Sequence, residues 1–260
     1  MAGGLARAAA LFATVFAAHC FYLLGTWGLA VESRTMKILA LETSTETASL
    51  AILNGDAVFS VSLQSPPLHS ATALPALHRL LDEAGLRISD FDVIACGIGP
   101  GAFTGVRLAC SLAQGLALAA DLRIAPVCSL QALAQMQGAG RVYCAMDARM
   151  SEIYVAAYER AASGWREVIG PVCVTPDAAP LPPGTDWLLA GTAFAAYPPL
   201  AARVAGHGTL AGQEHVPTAV GVAQLAGCVE WIDAAHLAPL YVRDRVALTV
   251  AERLAAGGRA

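Results

Sequence analysis

Charged side chains are scarce in this sequence. Asp, Glu, Lys and Arg make up 14% of its 260 residues, against about a quarter in a typical soluble domain. The formal net charge of −4 leaves no basic excess, whereas a chain that binds nucleic acid by itself usually carries one. The composition therefore argues against a chain that binds nucleic acid by itself, and we expect any contact with RNA to be shared with a partner.

Paired cysteines are also missing. The seven cysteines are scattered, mostly within apolar runs, and no two of them form a CxxC pair. This pattern argues against a disulfide framework and against a cysteine zinc site. It is typical of reduced, buried cysteines, and we expect a cytoplasmic protein.

Hydrophobic residues, in contrast, make up 56% of the chain. Residues 8–31 carry no charge and are long enough to cross a bilayer, which takes about 20 residues. Two explanations stay open for residues 1–35: an upstream extension of the gene start, since Met36 opens a new start-like pattern, or a genuine signal or anchor segment. We expect the extension, and hence no membrane attachment.

The pattern downstream of Met36 predicts an α/β protein with two subdomains, residues 36–137 and 138–260. In the first, we predict strands at 38–42, 48–53, 57–63, 91–96 and 123–127 and helices at 70–84, 104–120 and 129–137. In the second, we predict strands at 141–147, 153–158, 165–174 and 187–190, a loop at 175–186, and helices at 194–204 and 220–235. Asn54-Gly55 predicts a tight hairpin because both residues tolerate positive φ.

A glycine-rich segment lies between a predicted buried strand and a predicted helix. It contains Gly97, Gly99, Gly101 and Gly105. Backbone N–H groups at a helix start can bind phosphate, but the spacing matches neither the Rossmann fingerprint nor the P-loop. From the glycines alone, a phosphate site and a purely structural turn both remain open.

Five segments in order resemble the TsaB (YeaZ) family. They read ILALETSTETASLAIL, HSATALPALHRLL, GIGPGAFTGVR, MDARMSEIYVAAY and APLYVRDRVA, and together they extend from about Met36 to Ala247. The resemblance implies the actin-like fold of acetate kinase, sugar kinases, Hsp70 and actin, with two related subdomains. It also implies that the last helix could pack back on the first subdomain.

The resemblance also implies a function in tRNA modification. The chain would be a non-catalytic scaffold and activating subunit of the complex that transfers a threonylcarbamoyl group to the adenosine beside the anticodon of tRNAs reading ANN codons. Its partners would be a TsaD-like catalytic subunit and a TsaE-like ATPase, with ATP and a metal on those partners, tRNA reached through the complex, and a homodimer possible in their absence. The alternative is an independent ATP-binding or metal-dependent hydrolase of the same fold.

Catalytic relatives of the family hold a metal through an HxxxH pair. Here His69 is followed by Ala73, and the next histidine, His78, lies nine positions on. We therefore predict no catalytic residue, no metal site and no cofactor on this chain. A nucleotide contact is left open for the motif loop, which comprises Glu42, Thr43, Gly97, Gly99, Gly101, Thr104 and Gly105.

Glu42 departs from the aspartate that is usual in the family, which weakens the case for nucleotide use. The remaining motif residues are assigned a structural role, and Asp147 is either an ion-pair partner of Arg149 or a functional acid. These structural residues are Arg107, Asp147, Arg149, Tyr241 and Arg243.

The predicted helix 104–120 is apolar around most of its surface, with its strongly polar positions at Arg107, Ser111 and Gln114. Such a helix is covered from more than one side, either by a partner subunit or by other layers of the fold. We predict a partner interface on this helix and on helix 70–84. Its residues are Leu74, Leu77, Leu81, Val106, Ala109, Leu112, Ala113 and Leu116.

Overall fold

The computed structural model describes residues 35–63, 69–162, 164–212 and 215–243. The apolar stretch 8–31 and the end of the last family motif, residues 244–247, lie outside these residues. The first sheet and its helices comprise β1 (Lys37–Glu42), β2 (Ala48–Asn54), β3 (Ala57–Leu63), α1 (His69–Ala84), β4 (Val93–Gly97), α2 (Phe103–Ala120), β5 (Arg123–Val127) and α3 (Ser129–Met136).

The second sheet follows along the chain. Its elements are β6 (Arg141–Asp147), β7 (Ile153–Ala161), β8 (Gly164–Val174), β9 (Trp187–Ala190), α4 (Ala193–Ala196), α5 (Pro198–Val204), β10 (Gly208–Leu210) and α6 (Ala219–Leu225). Short 3-10 turns lie at Ile88–Asp90, Pro176–Ala178, Ala226–Cys228 and Ala234–His236. The predicted loop at 175–186 thus contains one such turn.

The two sheets share one topology. The first has the strand order β3-β2-β1-β4-β5 and the second β8-β7-β6-β9-β10, which is the same order counted from its own first strand. In both sheets the first three strands form an antiparallel meander and the last two run parallel to the first. This repeat confirms the predicted α/β fold with two related halves, while the boundaries 36–137 and 138–260 stay a prediction.

Side-chain alternation explains how the first sheet is covered on both faces. On β1, Leu39 and Leu41 point to the core under α1 and α2, whereas Ile38 and Ala40 point to the core under α6 and Ala132 of α3. Successive residues of a strand face opposite sides. The C-terminal helix α6 therefore packs on the first sheet.

Helix α3 also packs on the second sheet. Leu130, Leu133 and Ala134 form a buried cluster with residues of β6 and β7, including Cys144 and Tyr158. The opposite face of that sheet is covered by α4 and α5, with Trp187 and Phe194 in the core. Because α3 contributes to cores on both sheets, it fixes one sheet beside the other at the base of a cleft.

Two predicted helices are wrong in extent. The prediction 194–204 divides into α4 and α5 at Tyr197, whose φ of −131° and ψ of 80° are not helical. Pro198 and Pro199 follow, and the residue before a proline avoids the α region. The strand β10 was not predicted at all.

The predicted helix 220–235 ends ten residues early, at Leu225. Beyond the 3-10 turn, Ile232 exchanges two backbone hydrogen bonds with Ile124 of β5, at 2.8 and 2.9 Å. The indole of Trp231 donates to the carbonyl oxygen of Ala226 at 2.8 Å. Pairing with the sheet edge thus outweighs local helix propensity in this segment.

Candidate functional site

The glycine-rich turn between β4 and α2 is interlocked with the turn between β1 and β2. The backbone N–H of Ala102 donates to the carbonyl oxygen of Ser44 at 2.7 Å. The hydroxyl of the fully buried Thr43 donates to the carbonyl oxygen of Gly105 at 2.6 Å. A Cβ on Gly105 would overlap the carbonyl oxygen of Thr43, so only glycine allows this approach.

Glu42 is buried completely beneath this turn. One carboxylate oxygen accepts the backbone N–H of Ser44 at 2.7 Å, and the other accepts the hydroxyl of Ser129 at 2.7 Å. Desolvation by burial raises the pKa of Glu42 above its ordinary value, although these hydrogen bonds oppose the rise. A Cβ on Gly97 would overlap this carboxylate, which explains the first glycine of the motif.

Ser129 joins the glycine-rich turn to the start of α3. Its hydroxyl accepts the N–H of Gly99 at 3.1 Å, and its own N–H donates to the carbonyl oxygen of Gly99 at 2.8 Å. Sequence reasoning missed Ser129, because a serine at the start of a helix is ordinarily explained as a cap. No local pattern connects it to Glu42.

A cleft of about 740 Å³ lies between the two sheets, above α3. Its first wall consists of Ser44 to Thr47 and Pro100 to Phe103, and its second wall includes Asp147 to Arg149, Tyr154 and Thr192. The C-terminal segment Leu240 to Arg243 also lines it. Among the motif-loop residues predicted as possible nucleotide contacts, Gly101 lines the cleft.

The other six motif-loop residues do not line the cleft. Glu42 and Thr43 point inward and are hydrogen-bonded as described above, so the structure offers no support for the nucleotide contact that was left open for them. Their polar atoms are used by the chain itself. The remaining four are Gly97, Gly99, Thr104 and Gly105.

On the second wall, Asp147 is tied to its own turn. It accepts the backbone N–H of Arg149 at 2.9 Å and the hydroxyl of Tyr197 at 3.0 Å. Its other oxygen lies 3.4 Å from the Arg149 guanidinium, which also pairs with Glu46 on the first wall. Asp147 is therefore the ion-pair partner of Arg149, and Arg149 bridges the cleft mouth.

Arg107 and Tyr241 bring two distant motifs together. The Arg107 guanidinium donates to the Tyr241 hydroxyl at 2.9 Å and lies 3.6 Å from the ring centroid of Phe103. Arg243 donates to the carbonyl oxygen of Ala148 at 2.8 Å. The five residues assigned a structural role thus form contacts around the cleft mouth.

Half of the residues predicted for the partner interface are buried within the chain itself. Leu77, Val106, Ala109 and Ala113 are buried, at 0 to 4% exposure, because they face the first sheet. Their prediction as surface residues is wrong. Leu81, Leu112 and Leu116 are half-buried against the same core.

Leu74, by contrast, is 52% exposed, and Leu118, which was not predicted, is 74% exposed. On α2, the exposed row also contains Arg107, Ser111 and Gly115. The third polar position, Gln114, donates from its side-chain amide to the carbonyl oxygens of Ala234 and Leu237 at 3.0 and 3.2 Å. The polar residues Arg107 and Ser111 therefore marked the exposed row.

Helix α2 is also long and apolar enough, by composition, to cross a membrane. One row of the helix packs on the first sheet. Core helices of soluble proteins can have the same length and apolar composition. The row comprises Val106, Ala109, Cys110, Ala113 and Ala117. The observation is thus weak evidence for a membrane span.

No three His, Cys, Asp or Glu side chains in the described part of the chain lie close enough together to hold a metal ion. Ala73, four residues after His69, is 1% exposed and packs in the core under α1. A side chain at this position points toward the first sheet.

The comparisons with known proteins agree with this architecture. The tRNA threonylcarbamoyladenosine biosynthesis protein TsaB of Escherichia coli K12 is 34% identical over 226 residues, which cover 82% of this chain and 96% of that protein. The chain belongs to the TsaB family. A family model described as TsaD, tRNA N6-adenosine threonylcarbamoyltransferase, matches residues 65–213, so this TsaB chain is also related to that transferase family.

Two solved structures from Pseudomonas aeruginosa are similar to this TsaB chain. One is YeaZ, with a TM-score of 0.72 and 36% identity, covering 79% of this chain and 99% of that one. The other, described as similar to the peptidase YeaZ, has a TM-score of 0.73 and 36% identity and covers 80% and 100%. These matches, together with the two sheets of equal topology, confirm the actin-like fold.

Proposed function

We propose that this protein is a non-catalytic scaffold subunit in the biosynthesis of threonylcarbamoyladenosine on tRNA. Family membership supports the pathway, because curated relatives over most of the chain carry that name. The observation that supports a scaffold is the hydrogen bonding of Glu42 to Ser44 and Ser129. The acid at the position where nucleotide-binding relatives carry one is committed to the chain's own backbone and hydroxyls.

The position of Ala73 also supports a non-catalytic role, because it argues against a bound metal. An HxxxH pair would place its second imidazole at this residue, which faces the core. The residues present do not fit a metal site there. We therefore propose that the metal and ATP belong to a TsaD-like transferase and a TsaE-like ATPase, and that the complex works in the cytoplasm.

The partner surface that we propose includes the exposed sides of α1 and α2. Both helices cover the same face of the first sheet, and each presents an exposed leucine, Leu74 and Leu118. Large exposed apolar side chains on adjacent elements are typical of interaction surfaces. The small residues Ser111 and Gly115, in the same exposed row of α2 as Leu118, would let a partner helix approach closely.

One observation favours an independent enzyme as the second candidate. The cleft of about 740 Å³ has the size of a small-molecule site, typically about 300–1,000 Å³. An enzyme of this kind would bind ATP or a metal on the isolated chain. The inward-facing Glu42 and the absence of a metal cluster among the described residues make us rank this candidate second.

A reconstituted modification assay tests the proposal. Unmodified tRNA and a threonylcarbamoyl donor are incubated with a TsaD-like transferase and a TsaE-like ATPase, with or without this protein, and modified adenosine is measured by mass spectrometry. We expect modification to require this chain together with its partners. Full activity without this chain, or modification by this chain alone, would contradict the proposal.

Calorimetry of the isolated chain with ATP and magnesium separates the second candidate. We expect no heat of binding. Micromolar binding accompanied by ATP turnover would favour the independent enzyme.

A further inference from the structure

The segment Leu240–Arg243, which we call the strap, contacts both walls of the cleft. At its first residue, the backbone N–H of Leu240 donates to the carbonyl oxygen of Ile98 at 2.8 Å, directly after β4. At the next residue, the Tyr241 hydroxyl accepts from Arg107 of α2 at 2.9 Å. This end of the strap is bound to the first sheet and its helices.

Two residues later, Arg243 is bound to the second sheet. Its guanidinium donates to the carbonyl oxygen of Ala148 at 2.8 Å and lies 2.8 Å from a carboxylate oxygen of Glu152. The Arg243 side chain is only 15% exposed. Through these bonds to Ala148 and Glu152, Arg243 attaches the strap to the second wall.

The strap also holds an unusual turn between β6 and β7. Arg149, Met150 and Ser151 have φ values of 61°, 54° and 59°, and none of them is glycine. Consecutive residues in this region persist only where surrounding contacts hold them. Arg243 supplies such contacts, since it donates to the carbonyl oxygen of Arg149, at 3.3 Å, as well as to that of Ala148.

A second connection lies outside the cleft and centres on Gln135 of α3. Its amide oxygen accepts from Arg160 at 3.0 Å and from the Trp165 indole at 2.8 Å, both on the β7–β8 hairpin. Its amide nitrogen donates to Gln224 of α6 at 3.0 Å. Gln135 therefore joins the second sheet to a helix that packs on the first sheet.

We propose that the strap locks the two sheets at one angle, with Gln135 as a second latch, so that the cleft stays at fixed width. Two-lobed proteins that open and close around a ligand rotate about a few hinge residues. Here such a rotation would have to break either the bonds of Leu240 and Tyr241 to the first wall or those of Arg243 to the second wall.

Residual dipolar couplings and amide hydrogen exchange of the full chain test this lock. Arg243→Met keeps the apolar stem and removes the guanidinium. The matched control is Arg141→Met, which removes an arginine paired with Glu159 at 2.9 Å inside the second sheet. In the wild type we expect one alignment tensor to fit both sheets and the Leu240 amide to exchange slowly.

In Arg243→Met we expect the two sheets to require different tensors and the Leu240 amide to exchange at least tenfold faster. Arg141→Met should behave as wild type. A single tensor with wild-type exchange in Arg243→Met would overturn the proposal, as would equal changes in the control.

A milder variant keeps the test valid if Arg243→Met does not fold. Tyr241→Phe removes only the hydroxyl that Arg107 contacts. We expect severalfold faster exchange at Leu240 with the secondary structure unchanged. Wild-type exchange in this variant would count against the lock.

Discussion

The carboxylate of Glu42 accepts a hydrogen bond from the hydroxyl of Ser129, 87 residues further along the chain, at 2.7 Å. Through this bond, the end of β1 is joined to the start of α3 beneath the glycine-rich turn. Ser129 also binds Gly99 through both its hydroxyl and its backbone N–H. The turn whose glycines suggest a phosphate site is therefore filled by the protein's own groups.

Replacing Gly105 with alanine should destabilise the protein. The added Cβ would overlap the backbone carbonyl of Thr43, and overpacking of this kind costs about 1–3 kcal/mol. Gly115→Ala is the matched control on the same helix, since nothing lies within 4 Å of its Cβ, and it should stabilise by up to about 1 kcal/mol. Urea unfolding measures both, and equal effects would contradict the close approach.

Glu42 should make the protein less stable as pH rises. Burial raises the pKa of Glu42 in the folded state above its ordinary value of 4.5, so the unfolded chain gives up this proton at lower pH than the folded one. The contribution of Glu42 to the free energy of unfolding therefore falls as pH rises from about that value to the raised folded pKa.

Glu42→Gln removes this titration, so its stability relative to wild type should increase across that pH range. Unfolding by denaturant at several pH values measures the difference. Glu83→Gln, on the exposed side of α1, controls for a general loss of negative charge. A pH-independent difference between Glu42→Gln and wild type would disprove the assignment.

Leu118→Glu should weaken binding of a TsaD-like partner while leaving the fold intact. Leu118 is 74% exposed, so the charge meets water in the free chain but would be buried in the complex. We expect at least tenfold weaker binding, about 1.4 kcal/mol, by calorimetry, and an unchanged circular dichroism spectrum. Leu210→Glu, at a site 53% exposed on the second sheet, should bind normally.

Tyr143→Phe should be less stable than the wild type at neutral pH, and this difference in stability should become smaller at high pH. The Tyr143 hydroxyl donates to the carbonyl oxygen of Pro180 at 2.9 Å, and its loss should cost about 1 kcal/mol at neutral pH. Burial raises the pKa of Tyr143 from 10.0 to about 12. The wild type therefore loses stability from this group above pH 10, since the unfolded chain ionises first.

Thermal unfolding of both proteins between pH 7 and pH 11 measures this. The gap between Tyr143→Phe and wild type should narrow above pH 10. A constant gap would show that the buried hydroxyl ionises as easily as an exposed one.

Local signals were sufficient for part of this structure. The Asn54-Gly55 hairpin formed as predicted, with Gly55 at a φ of 60° and β2 paired antiparallel to β3. Turn chemistry and strand alternation depend on neighbouring residues, so the sequence carries them directly. The family motifs then supplied the topology.

The orientation of α2 could not be read from its apolar pattern. Because nearly every position is apolar, the pattern allows several faces to be buried. It places Val106 and Ala109 at an interface, whereas both pack on the sheet. The bond between Glu42 and Ser129 leaves no local trace either. Contacts between residues far apart in the chain decide both features, and a single sequence does not encode them in a recognisable pattern.

The position of α3 between the sheets affects how the protein unfolds. Ala132 belongs to a core of the first sheet, while Leu130 and Leu133 belong to a core of the second. Because α3 helps to form both cores, unfolding of one core removes packing contacts from the other. We therefore expect the two halves, though built on the same strand order, to unfold together in one transition, and neither half to be stable alone.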